Sequence, residues 1–249
     1  MRRDVQLLAT RVAVIDEAGK PTGVVHGHDG DGATLAPLML FANVLATSSV
    51  IVTRSLLGCE RFDQALSPVE GYDLWVRLLD RGAADTLPDV LVSRRLHAGG
   101  VTQKLRYNSE PSLEVIASTQ LARLRLTPSP AQLLLHRQLG SGRLEGDGRV
   151  VCEVADWLET LWQANAATGA YAEEPFRRVL AVQWLKACDA ASQGGCWQAW
   201  PLILRSPLTA NLVVDASSRS VLQHLPWRTL HGDVRRRWPW AGPAVSAPA

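Results

Sequence analysis

The hydrophobic pattern of this chain changes period part-way along, and that change limits the fold more than any single motif does. Before about residue 108, apolar residues come in short β-branched runs broken by turn chemistry; after it they recur at helical spacing. Val151, Val154, Ala155, Leu158, Leu161 and Trp162 follow an i, i+3, i+4, i+7 stripe. Phe176 to Cys188 carries a second stripe through Val179, Leu180 and Trp184. The expected fold is an α/β region with a partial mixed sheet over 1–107, a mainly α-helical region over 108–240, and a disordered Ala/Pro/Gly-rich tail over 241–249.

Within the first region, Val12 to Ile15 and Val24 to His26 read as two strands about a Glu17–Lys20 turn. Thr34 to Asn43 is apolar and predicts a helix, and Ser48 to Thr53 predicts a β-branched strand. Glu70 to Arg81 has helical spacing with Gly82 as its stop, and strand-like pieces follow at Asp85–Leu87 and Val90–Val92. Ser112 to Leu124 is helix-compatible, Ser129–Pro130 opens another helix with proline at its first position, and Gly140 to Gly148 is a charged loop.

Composition narrows the function classes. A net charge of +2 with scattered basic residues argues against a nucleic-acid partner. The four cysteines, Cys59, Cys152, Cys188 and Cys196, have no metal-ligand spacing, and three sit in or beside apolar helical patterns as small buried hydrophobes. A reducing, cytoplasmic setting is the expectation. Met1 to Asp4 is not followed by a signal core, and the best apolar stretch, Ala36 to Ala46, is too short for a transmembrane segment. Arg235, Arg236 and Arg237 beside Trp238 and Trp240 leave two readings open: peripheral contact at the inner face of a membrane, or a helix end packing its tryptophans on the domain.

The informative segment is Asn43 to Thr102. It reads N-V-L-A-T-S-S-V-I-V-T-R-S-L-L-G, then R-F-D-Q-A-L, then V-E-G-Y-D-L-W-V-R-L-L-D-R-G, then L-P-D-V-L-V-S-R-R-L-H-A-G-G-V-T. These four elements, in this order, resemble the acceptor-side portion of family 2 glycosyltransferases with the GT-A fold. The upstream V-A-V-I-D-E-A-G-K-P-T-G resembles the link between that family's two halves, so the similarity spans about residues 4 to 105. The resemblance implies transfer of a sugar, with inversion, from a nucleotide-sugar donor to a glycan or lipid-linked acceptor of the bacterial-surface type. It also implies a divalent metal, Mn or Mg, in the complete enzyme.

Inverting transfer needs a base for the acceptor hydroxyl and positive charge for the departing diphosphate. In the family the base is usually the second residue of an acidic pair before D-L-W. Here the pair is Glu70 and Gly71, so glycine stands at the usual base position and Glu70 is the remaining candidate. Asp73, Trp75 and Arg77 match D-L-W-x-R and by the resemblance floor the acceptor pocket. From their spacing alone, Trp75 is equally a core aromatic and Asp73–Arg77 an i, i+4 pair. His97 matches the family histidine near the diphosphate and metal. Arg94 and Arg95 are cations for the same group, but on an extended strand the two point to opposite sides.

The family's N-terminal half, with its Asp-x-Asp metal motif, has no counterpart ahead of residue 4, so Met1 is expected to follow that strand in a truncated or split enzyme. Asp29 and Asp31, beside His26 and His28, repeat the Asp-x-Asp spacing, but in a Gly-rich loop where solvated turns are the rule. Two functions therefore compete: the acceptor half of a glycosyltransferase, partnered by a complementing half or by itself, and a non-catalytic glycan- or protein-binding module. An unrelated helical adaptor would require the Asn43–Thr102 match to be coincidence.

Overall fold

A computed structural model describes residues 4–97, 99–100, 109–142, 144, 148–193, 195–196, 200–206 and 208. The chain divides into two compact units, Met1–Pro128 and Ser129–Ala249. The expectations for residues 101–108 and for the tail, including Arg235 to Arg237, lie outside the described residues.

The first unit is a small mixed sheet with helices. Its centre is β1 (Leu7–Ile15), which runs antiparallel to β2 (Pro21–His26) and to the two-residue β3 (Ile51–Val52), and parallel to β4 (Ala84–Arg95). Since β4 follows β1 from Leu7 to Ile15, β2 and β3 share the other edge: β3 at Leu7 and Leu8, β2 at Val12, Ala13 and Ile15. Two of the expected short strands are thus one strand, β4. Its register slips between Leu87 and Val90, around Pro88, which has no N–H for the ladder. In β1 the buried residues are Leu7 and Ala9, then Val12 and Val14, so the buried parity changes at the same slip.

The expected strand Ser48 to Thr53 is mostly something else. Thr47–Ser49 is a 3-10 turn, only Ile51–Val52 pairs, and the Thr53 hydroxyl caps α2 (Arg54–Leu57) by accepting from Leu56 N–H. The β-branched run had the right propensity, but its last residue is more useful as a cap. Helix α1 (Gly32–Met39) starts at the Asp31 cap, and α3 (Glu70–Leu79) starts at Glu70 as the spacing predicts. Seven of ten α3 residues are buried, from Gly71 to Leu79, and they meet Leu7 and Ala9 of β1 and Leu35 and Met39 of α1 in one core. Each fully buried apolar side chain there is worth about 1.5–3 kcal/mol. Helix α4 (Glu110–Arg123) adds Ile116 to that core, so the division between units falls one helix later than the composition change near residue 108.

The described part of the second unit is helical. Helix α5 (Pro130–Ser141) begins with a reciprocal capping box between Ser129 and Gln132 and ends at Gly142, whose φ of 69° is a left-handed cap. Helices α6 (Gly148–Thr168) and α7 (Glu173–Gln193) pack together, with α5 against both, and α8 (Trp200–Arg205) follows. The predicted stripe is inside: Val151, Val154, Leu158 and Leu161 are buried, as are Val179, Leu180 and Trp184. Cys188 and Cys196 are buried, whereas Cys152 lies on the exposed side of α6, against the expectation that its helical setting would bury it. Among the described residues no helix is long and apolar enough to cross a membrane.

Candidate functional site

The start of α3 gathers the residues of interest. Gly71 is buried, and a side chain there would place its Cβ 2.4 Å from Thr47 Oγ1 and 3.6 Å from Trp75 Nε1. The first distance is closer than real Cβ contacts come, so Thr47 fills the space where a residue-71 side chain would begin. Trp75 is 4% exposed, and among the described residues neither its indole N–H nor the buried Glu70 Oε2 has a hydrogen-bond partner. Thr47 itself is exposed. The Thr47 hydroxyl and the Trp75 indole N–H therefore both lie close to the point where a residue-71 side chain would begin. Native structures satisfy nearly all buried polar atoms, so each of these two orphans on α3 needs a reason.

The helical face beyond this point is tied into the fold by its own side-chain bonds. Arg77 donates to Asp73 Oδ2 from Nε at 2.9 Å and from Nη2 at 2.8 Å, to Arg61 O at 2.9 Å, and to Glu60 Oε2. Arg81 donates to the other Glu60 oxygen at 2.6 Å. This network ties the 58–66 segment to α3, and Phe62 from that segment forms a T-shaped pair with Trp75, with centroids 6.0 Å apart and planes at 85°. Asp73 and Arg77 form the i, i+4 pair that their spacing allowed, and Trp75 belongs to the core.

The other sequence candidates are placed apart from it. His97 is exposed just past β4, where Leu96 N–H still bonds Ile15 O at 2.8 Å. Arg95 donates to Asp16 O at 3.2 Å and Glu17 O at 2.7 Å, which closes the β1–β2 turn, while half-buried Arg94 points to the other side. No hydrogen bond or ion pair among the described residues joins His97, Arg94 or Arg95 to Glu70. Asp29 is held by Arg11, through Nε at 3.0 Å and through Nη2, and Asp31 caps α1 by accepting from Thr34 N and Oγ1 at 3.2 Å each. Thr86 Oγ1 pins Gly30 between them. Each of these two carboxylates is engaged by the fold, and among the described residues no group of three or more His, Cys, Asp or Glu side chains is arranged to hold a metal.

Sequence reasoning missed Thr47, Glu60 and Phe62. Thr47 and Phe62 stand in motifs it quoted, T-S-S and R-F-D, but nothing in those strings says that they converge on Gly71 and Trp75. Comparisons with protein families, with curated proteins and with solved structures found no match.

Proposed function

We propose that this chain is a glycosyltransferase-like protein whose own contribution is on the acceptor side, binding a glycan at the start of α3. The observation that carries the reading is that two buried atoms of α3, Glu70 Oε2 and Trp75 Nε1, have no hydrogen-bond partner among the described residues, on the helix where the sequence resemblance puts the acceptor. Glycosyl transfer would ask Glu70 to act as base, because residue 71 has no side chain and one there would have to displace the Thr47 hydroxyl. General-base catalysis is typically worth about two to four powers of ten. A second reading, a glycan-binding module without catalysis, is favoured by the same Thr47–Gly71 contact. A divalent metal, a nucleotide sugar and a complementing half belong to the proposal only through the resemblance.

Two measurements test it. On a printed array of bacterial-type surface glycans the purified chain should be retained by at least one, and retention by none removes the reading. Calorimetry with UDP-, GDP- and dTDP-sugars plus manganese should give neither binding nor turnover by this chain alone. Tight donor binding lost on His97→Ala would move the donor site to the β4 exit. Loss on Asp29→Ala with Asp31→Ala would restore the metal role of that loop.

A further inference from the structure

We infer that the free edge of β4 is a self-association surface, to which a second copy of this chain adds its own β4, antiparallel about a two-fold axis. This does not depend on the glycan reading above. From Val92 to Arg95, β4 pairs in unbroken register with Val12 to Ile15, and Leu96 N–H donates to Ile15 O. Backbone direction alternates along a strand, so Val92 and Arg94 also face β1, while Ser93 and Arg95 turn their N–H and C=O outward. Among the described strands β4 pairs with β1 alone, so this outward row has no strand beside it. Ser93 and Arg95 are exposed, and the neighbouring Val90 and Leu91 are 45% and 65% exposed. An exposed edge with apolar residues on it is a template for another strand.

The sequence of the edge singles out a second copy as the partner. Asp89-Val90-Leu91-Val92-Ser93-Arg94-Arg95 has an acid at one end, two bases at the other and an apolar middle. Reversed, it is complementary to itself. A two-fold axis permits only registers with a residue on the axis, because hydrogen-bonded and non-hydrogen-bonded pairs alternate and neighbouring pairs cannot be equivalent. With Val92 on the axis, Leu91 of each copy meets Ser93 of the other, and Asp89 meets Arg95. Moving the axis to Leu91 sets Arg94 and Arg95 opposite Pro88 and Leu87, and moving it to Ser93 sets them opposite Val92 and Leu91. Neither alternative gives the arginines an acid. Among the described residues Arg95 holds the Asp16 and Glu17 carbonyls through Nη1, which leaves Nε and Nη2 for a carboxylate. The slip around Pro88 keeps the regular part of the edge short, so the contact is small and depends on its charged ends.

Sedimentation velocity of the full chain over a concentration series should show monomer passing to dimer, with the dimer weakened by salt. Asp89→Arg and Arg95→Asp should each raise the concentration needed for dimer by about tenfold or more, because each homodimer then sets like charges opposite one another twice. Mixed in equal amounts, the two variants should recover the dimer, since every like pair becomes an opposite pair. Ser93→Pro removes an N–H that faces away from β1, so it should abolish the dimer while the monomer keeps its circular dichroism. Arg95→Asp also gives up the bonds to the Asp16 and Glu17 carbonyls. If its melt shows a lost fold, Asp89→Arg and Ser93→Pro carry the comparison, and both must be monomeric where the parent is dimeric. A parent chain that stays monomeric throughout overturns the inference. So does a dimer that survives Asp89→Arg and Ser93→Pro, or a pair of folded charge variants that fails to recover it on mixing.

Discussion

At the scale of single residues, the contact between Gly71 and Thr47 is the most consequential local fact. A glycine at 71 was visible in the sequence, and so was its departure from the acid expected there. The reason it must be small was not, because Thr47 is distant in sequence and reaches Gly71 only through the fold. Gly71→Asp should therefore cost about 1–3 kcal/mol by overpacking. In urea unfolding, Thr47→Gly combined with Gly71→Asp should recover part of that loss, since contacting residues couple. Equal loss in the single and double variants would show that Thr47 is not the obstacle. Lys186 gives a second residue-scale prediction. Its ammonium is half-buried on α7, donates to Leu139 O at 3.5 Å, and is pushed down in pKa by that burial. A base with a lowered folded pKa penalises the folded state while charged. That penalty fades as pH rises from the lowered folded value to the ordinary lysine value of about 10.4. Lys186→Met should thus raise the urea midpoint at pH 7, with the advantage shrinking by pH 10. An advantage that stays constant with pH would mean packing, and not charge, is responsible.

At the scale of elements, periodicity located the helices well because each has a wet side and a dry side. The strands were harder. Asp85–Leu87 and Val90–Val92 were separate in the sequence because Pro88–Asp89 reads as a break, yet β1 offers a continuous parallel edge that carries β4 through the slip. Ser48–Thr53 looked like a strand because propensity cannot see that Thr53 is a helix cap. For α3 the sequence left a choice between substrate contact and an i, i+4 pair, and the structure gives Arg77 the pair plus Glu60 and the Arg61 carbonyl. Arg77→Leu should then act on the neighbouring segment more than on the helix. With Arg77 about one-third exposed, the expected loss is about 1 kcal/mol, toward the surface end of ion-pair values. Amide hydrogen exchange in residues 58–66 should accelerate, with α3 core amides changed only by the global loss. Unchanged exchange in 58–66 would mean that the segment is held by Phe62 and its own turn bonds alone.

At the scale of the whole molecule, the sequence marked the change from sheet to helix but not which core the first helix after it serves. Helix α4 has a weak stripe of its own, so composition grouped it with the helices that follow. Its contacts belong to the first unit: Ile116 is 3% exposed within the core formed by α3 and β1, Gln120 Nε2 donates to the Tyr72 hydroxyl at 3.4 Å, and Arg123 pairs with Asp80 at 2.5 Å. Burial raises the Asp80 pKa while Arg123 pulls it down, so removing α4 would also strip that carboxylate of its counter-charge. The physical boundary should then lie at Pro128 and not at residue 107. A chain of residues 1–107 loses Ile116, and deleting one buried isoleucine to a cavity costs about 2–5 kcal/mol. Small domains hold only about 5–15 kcal/mol in total, so this loss, with the polar contacts added, takes most of the margin. Residues 1–128 should melt cooperatively by circular dichroism, and residues 1–107 should show a broad transition or none. Restoring α4 with Ile116→Ala should fall between the two. A sharp transition for 1–107 at the same midpoint as for 1–128 would mean that α4 merely rests on a core already complete without it.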